Sequence, residues 1–126
     1  MEIIMTISNA LSRCAEALGD AVSEETLILW LSQIENTVIT EIAATHLCGE
    51  YDASPVTVDC DRSRELFVPD PYSELYVLFA VMKNDLRLRD IQKYMNSAAV
   101  FSAAYANFAD MFNRTNAPQG NTKIVL

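Results

Sequence analysis

The sequence is poor in the residues that turn a chain. Three glycines and four prolines in 126 residues are too few for the many tight turns of an all-β sandwich or barrel. Histidine occurs once, as His46, and the cysteines, Cys14, Cys48 and Cys60, include no C-x-x-C pair. An odd, scattered set of thiols is no secreted disulfide framework. It reads as reduced cysteines in a cytoplasm. Cations are scarce too, and the net charge is −8. An acidic surface repels phosphate, which disfavours a basic groove for nucleic acid and docking on an anionic membrane leaflet. It still permits an acidic channel through which DNA slides without sticking, and it keeps a monomer soluble before assembly. No apolar run approaches the roughly 18 residues of a membrane span. The opening Met-Glu-Ile-Ile-Met lacks the basic stretch of a signal peptide, and Met5 is an alternative start.

Signatures of chemistry are also missing. There is no glycine-rich phosphate loop and no G-x-S-x-G elbow. A Ser-His-Asp triad would have to use His46, and nothing beside it in sequence suggests one. Cys48 and Cys60 with His46 make a poor zinc set, because ordered ligand spacing is absent. Asp59, Asp61, Ser63 and Asp70 imitate a calcium loop, but Arg64 occupies the turn position that needs glycine, and the last ligand should be glutamate. No catalytic, cofactor or metal site is therefore expected. His46 reads as a helix-terminal histidine that complements the dipole, and the aspartates read as a solvated loop.

What is present is hydrophobic patterning. Apolar residues make up 51% of the chain, enough for one compact domain without a disulfide or metal staple. Ile7, Ala10, Leu11, Cys14 and Leu18 share a helical stripe, and Gly19 follows as a left-handed cap. Ser23 offers an N-cap with Glu24 and Glu25 in the first turn. The stripe behind it is Leu27, Trp30, Leu31, Ile34, Val38 and Ile42, with Glu35 and Glu41 among the residues on the other side. From 46 to 70 the helical period disappears, and Val56-Thr57-Val58 and Glu65-Leu66-Phe67-Val68 are candidate short strands. Asp70 is the expected N-cap of a third helix with Pro71 at its first position, burying Leu75, Leu78, Phe79, Met82 and Leu86. No glycine or proline appears from Pro71 to Arg114. One helix of that length would run about 65 Å, so a break is expected near Arg87 to Arg89. Asp90 then opens a last helix carrying Ile91, Tyr94, Met95, Ala98, Phe101, Tyr105, Phe108 and Phe112. The expected fold is all-α, one domain with helices over 6–18, 23–45, 71–87 and 89–114, a long loop over 46–70 and an extended arm over 115–126.

Several of these segments resemble one family. Leu66-Phe67-Val68-Pro69-Asp70-Pro71-Tyr72-Ser73-Glu74-Leu75-Tyr76 resembles the LLVP-x-PY-x-x-x-Y segment of head-tail connector (adaptor, neck) proteins of siphophages and prophages. Lys93-Tyr94-Met95-Asn96-Ser97-Ala98 resembles their YNNS helix, and Phe101-Ser102-Ala103-Ala104-Tyr105 their FNAA[YFW]. Phe112-Asn113-Arg114-Thr115-Asn116-Ala117-Pro118 is similar to [WY]NRTHMP, Trp30-Leu31-Ser32-Gln33-Ile34-Glu35 to WLSELD, and Glu41-Ile42 to the end of REI. Each motif alone is weak, but their order and spacing along nearly the whole chain is more specific. Two departures stand out: Arg89-Asp90 replaces a Gly-Glu between the last two helices, and Asn116 replaces a histidine.

The resemblance implies a structural virion protein and not an enzyme. Its place would be the virion neck, after synthesis in the host bacterial cytoplasm. It implies a homo-oligomeric ring, with a dodecamer as one count it would allow. Its partners would be the portal protein above and the tail or stopper protein below, with DNA passing through unread. Intermolecular contacts are expected from the 46–70 loop and the C-terminal arm, through Asp59, Asp61, Glu65, Phe67, Thr115, Lys123, Ile124, Val125 and Leu126. Both segments are expected to order on docking, and Asp59, Asp61 and Glu65 to face the channel. The apolar tip after Pro118 and Gly120 reads either as a strand added to another subunit or as a frayed terminus. Two other classes are a small acidic helical protein-binding regulator, which would be a dimer without a ring, and a metal-dependent enzyme, which would carry stoichiometric zinc.

Overall fold

A computed structural model describes residues 4–117. The residues of the C-terminal arm from Pro118 onward, Lys123, Ile124, Val125 and Leu126 among them, lie outside it. Four α-helices follow in order: α1 Ile7–Leu18, α2 Glu24–Glu41, α3 Glu74–Arg87 and α4 Ile91–Thr115. There is no strand among the described residues, so the all-α expectation stands.

Local chemistry sets the boundaries. Thr6 caps α1 by accepting from Asn9 N, and Ser23 caps α2 by accepting from Thr26 N. Each satisfies one of the backbone donors a helix start leaves free. Gly19 ends α1 at φ 68°, a conformation glycine adopts without a Cβ penalty. α2 stops at Glu41, short of the predicted 45, because the chain tightens into a 3-10 turn over Ala43–Thr45 and Thr45 Oγ1 donates back to Glu41 O. α3 starts at Glu74, not at Pro71. Asp70 is no N-cap, since its carboxylate accepts from Arg13 of α1 at 3.2–3.3 Å and from the Ser73 hydroxyl. Asp90 caps α4 through Lys93 N, and the break falls at Leu88 to Asp90 as expected.

Ile7 and Ala10 of α1, Leu31 and Ile34 of α2, Leu75 and Tyr76 of α3, and Phe108 and Phe112 of α4 meet in one core. A smaller cluster of Cys14, Val22, Leu27, Trp30 and Ala80 sits beside it. Met5, whatever its merit as a start, is itself core, at 1% exposure. Two stripes need correction. In α3 the buried set is Leu75, Tyr76, Ala80 and Asn84, while Leu78, Phe79 and Met82 are half-buried and Leu86 is exposed. In α4 only Phe108 and Phe112 are buried, and Ile91 and Met95 are exposed. The reason is common to both: α4 lies along α3, and at the end of this hairpin distant from Phe108 and Phe112 the apolar residues Leu86, Leu88, Ile91 and Met95 stay exposed among the described residues.

The 46–70 segment forms neither predicted strand. Among the described pairings it makes an antiparallel bridge, Thr6 to Glu65, extended by Leu66 N to Met5 O (2.8 Å) and Ile7 N to Arg64 O (3.0 Å). The segment is not a free loop. Val56, Leu66 and Val68 are core residues, and its two arginines pin it. Arg62 donates to Val58 O and Cys60 O and pairs with Glu24 at the start of α2. Arg64 donates to Pro55 O, Asp52 O and Ser54 O. Each guanidinium replaces several missing ladder bonds with charge-assisted ones.

Candidate functional site

The most buried charged residue is one the sequence reading placed on the other side of the α2 stripe. Glu35 is 3% exposed. Its Oε1 accepts from the Tyr76 hydroxyl at 2.5 Å and its Oε2 from Phe67 N at 2.8 Å; the Tyr76 oxygen accepts in turn from Val68 N at 3.0 Å. One carboxylate thus joins α2, the loop and α3. Burial holds the Glu35 carboxyl above its ordinary value of 4.5, against the two hydrogen bonds and the nearby Arg64 charge. Burial and the Glu35 charge push the Tyr76 hydroxyl well above 10.0. Each oxygen of the Glu35 carboxylate and the Tyr76 hydroxyl has a partner inside the chain, so the group braces α2, the loop and α3 together.

Two further braces tie α4 to the end of α2. Tyr105 donates to Glu41 Oε1 at 2.6 Å. His46 lies with Nδ1 2.7 Å from Ile42 O and Nε2 2.5 Å from Asn113 Oδ1, its ring edge-on to Phe112. Both ring nitrogens are occupied within the chain. Among the described residues no three His, Cys, Asp or Glu side chains converge as metal ligands.

A cleft of ≈ 680 Å³ opens above Glu35, walled by Ile4, Glu50, Tyr51, Asp52, Asp61 and Glu65. Arg64 lies in its wall, 3.4 Å from Asp52. The other carboxylates have no cation within ion-pair distance among the described residues, so the mouth is acidic. The predicted site residues divide accordingly. Asp61, Glu65 and Phe67 come together at this cleft. Asp59 is exposed but does not line it. Asp61 is fixed by accepting from Ser63 N and Ser63 Oγ, which holds its carboxyl below 3.8. Phe67 is half-buried and packs edge-on to Tyr51 and Phe108. Thr115 is exposed on a neighbouring recess of ≈ 230 Å³, its hydroxyl donating to Met111 O.

Sequence reasoning missed Glu35 and the two arginines. Glu35 directly follows the buried Ile34 and lies four residues before the buried Ile39, and that flanking was the available signal. No helix among the described residues is long and apolar enough to cross a membrane. No protein-family model, no curated protein and no solved structure matches the chain.

Proposed function

We propose that this chain is a structural subunit of a phage head-tail connector, assembling as a ring below the portal and extending the DNA exit channel toward the tail. It works by packing and docking, without bond-making chemistry. One observation carries the reading: residues of the resembling motifs, distant in sequence, are paired in space. Glu35, the acid that ends the Trp30 motif, is bonded to Tyr76, the tyrosine that ends the Leu66 motif. Glu41 of the Glu-Ile pair is bonded to Tyr105, the aromatic that ends the Phe101 motif. Arg89, standing where the family has glycine, has φ 59°, the backbone region that glycine fills most cheaply. Unrelated chance matches would not be expected to pair off in this way. The test is to mix the purified chain with portal rings of the same phage or prophage and image them by electron microscopy. A ring seated on one end of the portal is expected. Portals that stay bare at saturating chain would overturn the reading.

A further inference from the structure

Two groups of exposed large apolar residues lie at opposite ends of the fold, apart from Leu29 on α2, Leu47, and Val100 in the middle of α4. Leu86, Leu88, Ile91 and Met95, each 44–60% exposed, surround the α3–α4 turn. Ile4, Tyr51 and Val58 stand exposed at the cleft and the loop beside it. The two ends are separated by the length of α4. This helix begins at the turn with Ile91 and reaches the cleft region at Phe112, which packs on the cleft residue Phe67. At 1.5 Å per residue that separation is roughly 30 Å.

The charges divide the same way. Arg13, Arg62 and Arg64 are taken up by Asp70, Glu24 and Asp52. Arg87, Arg89 and Lys93 lie at the α3–α4 turn, with Lys83 one helical turn back in α3, and none of them forms an ion pair among the described residues; Arg114, in the last turn of α4 near the cleft, forms none either. Asp85 accepts from Ser97 Oγ and Asp90 from Lys93 N, and both add negative charge beside these cations. Asp20 lies in the turn whose Ala21 O accepts from Arg87, and it reduces the local charge without cancelling it. On a chain of net charge −8, Lys83, Arg87, Arg89 and Lys93 against Asp20, Asp85 and Asp90 leave the turn end with a small positive excess, while Glu50, Asp61 and Glu65 make the cleft end anionic.

We propose that the α3–α4 turn of one copy docks in the Glu50–Glu65 cleft of the next, making a head-to-tail contact between copies of this chain. Such a contact uses two different surfaces, so it propagates and closes into a ring when the rotation per step allows, whereas a two-fold contact would stop at a dimer. Opposite charges steer the encounter and set its register, and the apolar residues supply the burial. The proposal rests on the ring reading for closure, but the contact itself does not depend on a portal. It moves Asp61 and Glu65 from the channel wall to the boundary between subunits and leaves Asp59 available to the channel.

The experiment is sedimentation velocity on the full chain alone, at concentrations up to about 1 mM and at low and high salt. Three species are compared: wild type, a turn variant (Arg89→Glu with Lys93→Glu) and a cleft variant (Glu50→Lys with Glu65→Lys). Wild type should self-associate and weaken as salt rises. Each variant alone should lose roughly tenfold or more in association. An equimolar mixture of the two should recover it, because each retains the surface its partner needs and the two reversed surfaces are again complementary. Neutral variants (Arg89→Gln with Lys93→Gln, and Glu50→Gln with Glu65→Gln) should give intermediate losses, and they serve if a reversal fails to fold. Association that neither reversal alters would assign the contact to another surface and overturn the proposal. So would a wild type that stays monomeric throughout; if that monomer sedimented with anionic vesicles, the turn would be a lipid contact instead. Head-to-tail association with bare portals would sink the connector reading and keep this one.

Discussion

Glu35 and Tyr76 are 41 positions apart, and their side chains meet at 2.5 Å in the interior. Removing the hydroxyl with Tyr76→Phe leaves two buried groups without a partner, Glu35 Oε1 and Val68 N. Unsatisfied buried groups cost about 1–3 kcal/mol each, so a loss of roughly 2–4 kcal/mol is expected from urea denaturation. Tyr105→Phe removes a hydroxyl of similar geometry from an exposed pair with Glu41, where water replaces the bond. That variant should lose less than about 1 kcal/mol. Equal losses would mean that the buried brace is not special.

Stability should respond to pH in two opposite ways. The folded pKa of Glu35 lies above its ordinary 4.5. Between the two values the native state holds a proton that the unfolded state has released. This contribution is fully present below 4.5 and falls as pH rises through the folded value. Asp70 is the reverse case. The guanidinium of Arg13 and the hydroxyl of Ser73 hold its carboxyl below 3.8, so its contribution is present above 3.8 and is lost as pH falls through the folded value. Denaturant midpoints should therefore decline on both sides of a maximum near pH 4. Glu35→Gln should flatten the decline on the alkaline side and leave the acid side in place. An unchanged alkaline slope in that variant would show that Glu35 does not cause it.

Thiol reactivity offers a measure of core opening. Cys14 is 1% exposed in the smaller cluster, and burial pushes its thiol up to about 11. The thiolate is the nucleophile, so access and ionisation both oppose alkylation. Cys48 and Cys60 are only half-buried. With iodoacetamide at pH 8, peptide mapping should find Cys48 and Cys60 labelled first. Cys14 should label only at the rate of global unfolding and should accelerate in the Tyr76→Phe variant. Early labelling of Cys14 would mean that the α1–α2 corner opens independently of the main core.

The helices were legible in the sequence because their signals are local. Ser23, Gly19 and Asp90 act on backbone groups within a few residues, and the α2 stripe from Leu27 to Ile42 is buried as its spacing predicts. What escaped was set by distance in the chain. Asp70 has the local form of an N-cap, yet Arg13, 57 positions away, takes its carboxylate. Glu35 has the local form of a solvated residue, yet its partners lie in the loop and in α3, 32 and 41 positions away. The 46–70 segment, read as loose because it has no period, is held by arginines that bond carbonyls instead of completing a ladder. Ile91 and Leu86 fit their stripes but stay exposed, and periodicity cannot tell which residues of a stripe the rest of the fold covers. For the candidate site, the acidic residues were visible and their gathering with Ile4 and Tyr51 was not.

Arg89 separates the stability of the fold from the contact proposed for it. It occupies the left-handed region at φ 59°, which costs a side-chain-bearing residue of order 1 kcal/mol, and glycine there relieves the strain while adding entropy to the unfolded chain. Arg89→Gly should therefore raise stability by about 0.5–1 kcal/mol in denaturant unfolding. The same change removes a cation from the α3–α4 turn, so self-association should weaken and its salt dependence should shrink. A merely structural role for Arg89 predicts that stability and association rise together, because a firmer turn presents its surface better. Opposite movement in a single variant assigns the guanidinium to the neighbouring copy; parallel movement removes Arg89 from the interface.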